Sequence, residues 1–394
     1  MARRGKALVV LSFLGFASLG LPDGVLGVAW PNLRAEFGLP LDALGALLIS
    51  TTAGYVTSSF LAGALLARVS LGALLTLSCL ATGATLLGYA AAPLWGVLVA
   101  LGVIAGLGAG AIDAGINTFA ATNFKPRTLH LLHAAYGVGT TAGPVWMTSV
   151  LMSGYAWQRG YLAIGAVQLL LAAGFAATLR LWPGPVRREA SSAAPVAPLA
   201  ETLRLAAARL GAAAFFLYLG VEATAGAWLF SLLAEGRGVS MGMAGSAVSL
   251  YWGGLLIGRI GFGFAPNSLR PETLLPPCIA GLVAFAALLA LDLGPTSSFV
   301  AAAGLGVSAA PIFPALIGAT PERLGPTHTA NAVGLQVAAA ALGQSSVPAL
   351  AGVLADHRGL EWVPRTILGL ALALLAVNTL LARAPQRQAV AQGA

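Results

Sequence analysis

Twelve long apolar runs, separated by short polar breaks, follow one another along the chain. They lie near 7–30, 42–67, 71–91, 93–121, 130–154, 160–182, 210–234, 243–265, 272–293, 296–320, 328–355 and 361–382. Each approaches or exceeds the ~20 apolar residues that an α-helix needs to cross the hydrocarbon core of a bilayer. The breaks are built from Pro, Gly and charged residues, which punctuate helices. Most are too short to hold an extramembrane domain. The exception runs from 183 to 209 and contains Arg187, Arg188, Ser191 and Ser192. It predicts a flexible polar connector. The expected organisation is an N-terminal six-helix bundle over 1–182, a cytoplasmic linker over 183–209, and a C-terminal six-helix bundle with a short cytoplasmic tail over 210–394. Arg3, Arg4 and Lys6 before the first run give it the look of a secretory signal. Eleven further spans make a retained first membrane helix the expectation.

Composition supports this pattern. Hydrophobic residues form 58% of the 394 and charged residues 9%, against roughly 25% charged in soluble domains. Such a chain cannot coat a water-facing surface, so most of its surface faces lipid. The net charge of +8 raises the question of a nucleic-acid partner, and its distribution answers it. With the N-terminus inside, sixteen of the 21 Lys and Arg residues fall on the inner side and five on the outer. That is the positive-inside pattern of a membrane protein. A multi-pass protein of the inner (cell) membrane with both termini cytoplasmic is expected, with no nucleic-acid partner. Cys79 and Cys278 sit in apolar runs without metal-ligand or disulfide spacing, so no metal site is expected.

The two halves carry a weak internal repeat. Gly63–Ser70 pairs with Gly254–Gly261 through a shared GxxxxR pattern ending in Arg68 and Arg259. Gly106-Leu-Gly108 pairs with Gly304-Leu-Gly306, His130 with His328, and Gly143-Pro144 with Val347-Pro348. Offsets near half the chain length, in one order, predict parallel six-helix repeats. That is one architecture of secondary transporters.

Against this apolar background three carboxylates stand inside the runs: Asp23, Asp113 and Glu222. An ionised side chain at the bilayer centre costs ~2.5–3.5 kcal/mol on insertion scales, so each must find a partner, face a wet cavity or carry a proton. Hydrogen bonding to a neighbouring helix, or a place near the headgroups, is the alternative to proton coupling for all three. Asp113 and Asn117 are four residues apart and share a helix face. Gly106 and Gly110 provide small residues for close helix approach. An acid–amide pair suits a solute hydroxyl together with a proton site. Span five carries His133, Tyr136, Gly139, Gly143 and Pro144, and the last three form a candidate packing and bending element. In the second half Trp228, Trp252, Asn331, Gln336 and Gln344 are candidates for solute contact, because amides match hydroxyls and flat rings match the apolar face of a sugar. Aromatic residues in membrane spans also serve as anchors and packing. No phosphate-binding loop, zinc-protease motif or hydrolase constellation is present, so an enzyme is not expected.

Certain segments resemble the major facilitator superfamily. The GxxxxR half-repeats look like its loop signature, although Ala67 and Gly258 stand where an acid normally precedes the arginine. Leu21–Pro31, Gly106–Thr118 and Leu132–Pro144 resemble the fucose-permease-like (fucose:proton symporter) branch, and 346–361 does so more weakly. The resemblance implies the major facilitator fold: an all-α membrane protein of twelve transmembrane helices in two pseudo-symmetric six-helix bundles. It also implies that spans 1, 4, 7 and 10 line the central cavity. Asp23 and Asp113 would then take the places of the acids that serve sugar binding and proton coupling. The combined expectation is a proton-coupled secondary transporter of a small polar solute, a monosaccharide or related polyol, working by alternating access. Asp113, Asp23 and Glu222 would couple the proton, with Asp23 also touching the solute beside Asn117, His133 and Tyr136. Arg68 and Arg259 would act in gating and packing. No cofactor is expected beyond the proton gradient, and the partners are a solute and the lipid bilayer, with the protein a monomer. The alternative is a proton-coupled exporter of amphipathic compounds.

Overall fold

The computed structural model describes residues 2–124, 126–185, 197–263 and 271–383. The chain forms fifteen α-helices among these residues: α1 (Ala2–Phe37), α2 (Leu44–Leu66), α3 (Leu71–Ala91), α4 (Trp95–Asn123), α5 (Pro126–Met152), α6 (Trp157–Ala177), α7 (Leu199–Arg204), α8 (Ala206–Ser231), α9 (Met241–Gly263), α10 (Pro271–Ala290), α11 (Pro295–Ala309), α12 (Ile312–Gly318), α13 (Thr320–Leu324), α14 (Pro326–Arg358) and α15 (Trp362–Arg383). Eleven stretches are long and apolar enough to cross a membrane. The 27-residue α5 is not one of these eleven and takes the place of the fifth span in the expected series of twelve. The all-helical membrane architecture read from the apolar runs is therefore the one observed.

Two differences have local causes. The tenth expected span is not one helix but three, and prolines stand at the breaks. Pro295 opens α11, Pro311 precedes α12, and Pro321 lies in the first turn of α13. Proline lacks the N–H that would continue a helix but is accommodated in its first turn. The far end of the expected flexible connector is ordered. Its α7 docks on the start of α14, where Thr202 hydrogen-bonds His328 at 2.9 Å and Asn331 donates to the Ala197 carbonyl at 2.7 Å.

The helix contacts repeat between halves. In the first half α1 packs on α5, α2 on α4, and α3 on α4 and α6. In the second half α8 packs on α14, α9 on α11, and α10 on α11 and α15. Glycines set the register of this repeat. A side chain at Gly106 would strike the Thr51 carbonyl and the Tyr55 backbone, and one at Gly306 the Tyr251 carbonyl and the Leu255 backbone. Gly54 against Val103 and Leu107 is matched by Gly254 against Ala303 and Val307. Both pairs are 200 residues apart. Two expectations change with this. Gly106 is equivalent to Gly306 rather than Gly304, and Arg259 is equivalent to Ser59 rather than to Arg68. Arg68 is exposed just past the end of α2, whereas Arg259 lies within α9. Arg259 is thus removed from the inner-loop charges, and the positive bias survives without it.

The halves meet through α5 on α9, α2 on α14, and α1 on α8. The α1–α8 crossing uses equivalent residues, with Gly27 against the carbonyls of Gly226 and Ala227. At the end remote from the termini, Arg34 pairs with Glu235 at 2.8 Å and Asp356 accepts the Leu41 N–H at 2.9 Å. Gly45 packs on Ala349, and Gly242 on Met152. The bundle is closed at that end.

Candidate solute and coupling site

The apolar helices bring the odd carboxylates into one region between the halves. Asp113 sits on α4 at a place where the α4 backbone lies almost against α2. Gly110 makes this possible, since a side chain there would strike the Tyr55 carbonyl and the Ser58 hydroxyl. The close approach delivers the Tyr55 hydroxyl to Asp113 Oδ2 at 2.7 Å. Asn117, one turn along α4, donates from Nδ2 to Asp113 Oδ1 at 3.0 Å. Both carboxylate oxygens are therefore held by neutral donors.

Asp23 is placed by an equally tight pairing of α1 and α5. A side chain at Gly20 would strike the Tyr136 carbonyl, one at Gly24 the Thr140 carbonyl, and one at Gly139 the Ala17 carbonyl. Gly143 lies against Leu21, and Pro144 against Gly24. Through this interface Tyr136 donates its hydroxyl to Asp23 Oδ2 at 2.7 Å. Asp23 is exposed although it lies within a membrane-spanning helix. A side chain facing an internal wet cavity has that combination.

Glu222 is the second-half counterpart of Asp23. Gly27 and Gly226 meet as equivalents, 199 residues apart, and the same offset carries Asp23 to Glu222. Tyr218, one turn earlier on α8, donates a short hydrogen bond to Glu222 Oε2. Tyr251 on α9 donates to the Glu222 backbone carbonyl at 2.9 Å. Unlike the other two acids, Glu222 has a cation, Arg259 Nη2, at 3.5 Å from Oε2. The groups form one electrostatic chain, in which Tyr55 feels Asp23, Asp23 feels Glu222, and Tyr136 feels both Glu222 and Arg259.

Other expected contacts fall elsewhere. Trp228 is fully buried and donates from its indole to the Pro348 carbonyl at 2.9 Å, filling space over Gly352. Gln336 is buried and exchanges hydrogen bonds with Thr320 at 3.0 and 3.1 Å. Asn331 bridges Ala197 and Thr202. These three hold helices together, because an amide or indole buried among apolar helices takes the nearest backbone or hydroxyl partner. Gln344 is exposed. Trp252 is buried over Gly226, and its indole N–H has no partner among the described residues. His133 is exposed, one turn before Tyr136, with its ring edge-on to Phe16 at 5.2 Å. The His130 side chain lies outside the described residues.

Sequence reasoning missed Tyr55 and Tyr218 and counted Arg259 among the sixteen inner-side charges, although the run 243–265 contains it. Tyr218 carried a signal: it stands four residues before Glu222, on the same helix face.

Comparison with known proteins agrees with this architecture. The sequence pattern of the Major Facilitator Superfamily matches residues 12–304. The yeast Saccharomyces cerevisiae protein named bypass of stop codon protein 6 is 24% identical, over 91% of this chain and 79% of its own. The Mus musculus sodium-dependent glucose transporter 1A is 23% identical, over 88% of this chain and 89% of its own. Among solved structures, a point mutant of the nucleoside transporter NupG aligns with a TM-score of 0.76 at 15% identity, over 96% of this chain and 99% of that one. A bacterial homolog of the human lysosomal transporter Spinster, inward-facing and occupied, aligns with a TM-score of 0.69 at 14% identity, over 96% of both chains.

Proposed function

Because the chain belongs to the Major Facilitator Superfamily, we propose that this membrane transporter of a small solute is proton-coupled, and that it carries a monosaccharide or related polyol by alternating access. One observation carries the coupling. Asp113 lies within a membrane-spanning helix, both its oxygens are held by neutral donors, and it has no ion-pair partner among the described residues. A carboxylate so placed is neutralised most cheaply by a proton. The protonated carboxyl, with Asn117 and Tyr55 beside it, presents both donors and acceptors to a solute hydroxyl, so solute and proton are taken up together. Asp23 with Tyr136 offers a second donor–acceptor pair across the cavity. Two acid–hydroxyl pairs suit a ligand with several hydroxyl groups.

The glucose transporters among the relatives support a sugar-like solute, as do the segments that resemble the fucose-permease-like branch. Alternating access is supported by the contacts at the end remote from the termini. They include glycine packing, the Leu41–Asp356 hydrogen bond and a partly exposed ion pair, and exposed pairs contribute only ~0–1 kcal/mol each. Such a closure can open at modest cost. The positive-inside distribution supports cytoplasmic termini, which makes the open state of the cavity inward-facing.

The test is counterflow into proteoliposomes with a panel of labelled hexoses, deoxyhexoses, polyols and lipophilic cations, in the presence and absence of sodium. The expected result is exchange of at least one neutral sugar or polyol without sodium, reduced ~10-fold or more in Asn117→Ala, as loss of a hydrogen bond to a polar ligand predicts. Exchange of lipophilic cations alone would move the reading to the amphipathic exporter. A strict sodium requirement would remove the proton.

A further inference from the structure

The C-terminal half has a charged group that the repeat does not require. At the matching place in the first half the chain has Ser59, and the glycine contacts of α2 on α4 form there without an arginine. Asp23, equivalent to Glu222, is served by the Tyr136 hydroxyl and has no ion-pair partner among the described residues. Arg259 is therefore an addition to the second half rather than a demand of the helix pair. Its pairing with Glu222 also leaves the guanidinium fork unfilled. One nitrogen meets one oxygen at 3.5 Å, not the two-point fork that guanidinium and carboxylate form when each satisfies the other. The Arg259 side chain keeps 20% of its surface accessible, against 9% for Glu222. A guanidinium has five N–H donors; Glu222 and the Tyr218 hydroxyl engage part of them, and the accessible remainder can meet a ligand.

We propose that Arg259 receives an anionic group of the solute, and that the solute is an acidic sugar, a polyhydroxylated monocarboxylate. This rests on the reading of the cavity as a sugar-like site and narrows its substrate class. One proton serves both acids: taken up at Asp113 and passed to Glu222 as the solute binds, it breaks the contact with Arg259, and the solute carboxylate takes the place of the Glu222 carboxylate on the guanidinium. Arginine suits this exchange because its planar fork matches a carboxylate at two points. The pair is neutral before the exchange, as Arg259 with Glu222, and neutral afterwards, as Arg259 with the solute and protonated Glu222. The groups that face Glu222 are Tyr218 on its own helix, Arg259 and Tyr251 on α9, Asp23 on α1 and Tyr136 on α5. Of these Arg259 alone is cationic, so the anion and the proton are bound together. The hydroxyl groups of the solute then lie toward Tyr136, Asp23 and the Asp113–Tyr55 pair.

This arrangement makes transport electroneutral, one anion with one proton, whereas a neutral sugar with a proton carries charge. Proteoliposomes containing the purified full chain separate the two, with labelled D-glucuronate and D-glucose as probes. Either a pH gradient or a potassium–valinomycin potential is imposed. The expected result is glucuronate uptake driven by external acid and indifferent to an interior-negative potential. Arg259→Gln should lower glucuronate uptake ~10-fold or more, as loss of a charge-assisted contact to a ligand predicts, with Arg259→Lys intermediate. Glucose uptake driven by both gradients, with no glucuronate uptake, overturns this inference and leaves the neutral-sugar reading standing. Uptake of neither probe in any gradient, with no sugar exchanged in the panel above, overturns both. The comparison of the two gradients uses the unmodified protein, so it holds even where Arg259→Gln fails to fold.

Discussion

Replacing Gly106 by leucine is expected to abolish accumulation of folded protein in the membrane. The Cβ alone would collide with the Thr51 carbonyl and the Tyr55 backbone, and neither can rotate away. Over-packing costs ~1–3 kcal/mol where side chains can adjust, and more where they cannot. Here the only adjustment is separation of α4 from α2, which would also take the Tyr55 hydroxyl from Asp113. Gly306→Leu should behave alike, because it meets the Tyr251 carbonyl and the Leu255 backbone in the equivalent place. Gly63→Leu, on the same α2 but with nothing within 4 Å of its added carbon, should accumulate normally. Size-exclusion profiles of fluorescent fusions in mild detergent read all three. Normal profiles for Gly106→Leu and Gly306→Leu would contradict the packing described.

Removal of the Glu222 carboxylate is the second large effect. Glu222→Ala leaves Arg259 inside the bundle without its ion-pair partner. Breaking a buried pair at one side costs ~3–5 kcal/mol, since it strands the other charge. The Arg259 side chain keeps 20% of its surface accessible, so about 2–3 kcal/mol is expected here. The melting temperature of the purified protein should drop by several degrees. Arg259→Ala alone should cost less, because an unpaired carboxylate can take up a proton whereas a guanidinium cannot shed one. The double replacement Glu222→Ala/Arg259→Ala should recover most of the loss, a coupling that a double-mutant cycle measures. Additive losses would show that the two groups do not act as a pair.

These effects divide according to what was visible in the sequence. Asp23, Asp113 and Glu222 were conspicuous because a charge in an apolar run is expensive wherever it points. The link from Asp113 to Asn117 was legible because both are on one helix, where spacing determines proximity. Tyr55 and Tyr136 could not be paired with their acids in the same way, since each bond crosses between helices and depends on glycine-permitted approach. Tyrosine in a membrane span also raises no alarm, as its hydroxyl costs little at an interface. The misplacement of Arg259 came from register. A short GxxxxR pattern aligned it with Arg68, and only the glycine contacts, pairing 54 with 254 and 106 with 306, align it with Ser59. Trp228, Asn331 and Gln336 were sound candidates by residue type, yet type alone does not distinguish an amide that awaits a ligand from one already bonded to Thr320 or Ala197. The break in the tenth span was visible as Pro311 and Pro321, but prolines also occur within α1, which continues through Pro22 and Pro31.

The central claim is that solute and proton move together through Asp113. The most direct measurement traps a pH-sensitive dye inside proteoliposomes and adds, at equal pH on both sides, a solute that exchanges in the panel. The account predicts that the lumen of vesicles holding the unmodified protein acidifies as the solute enters, and that vesicles holding Asp113→Asn show no solute-dependent acidification. Acidification by Asp113→Asn at the unmodified rate, or solute entry through the unmodified protein with no change of internal pH, would contradict it.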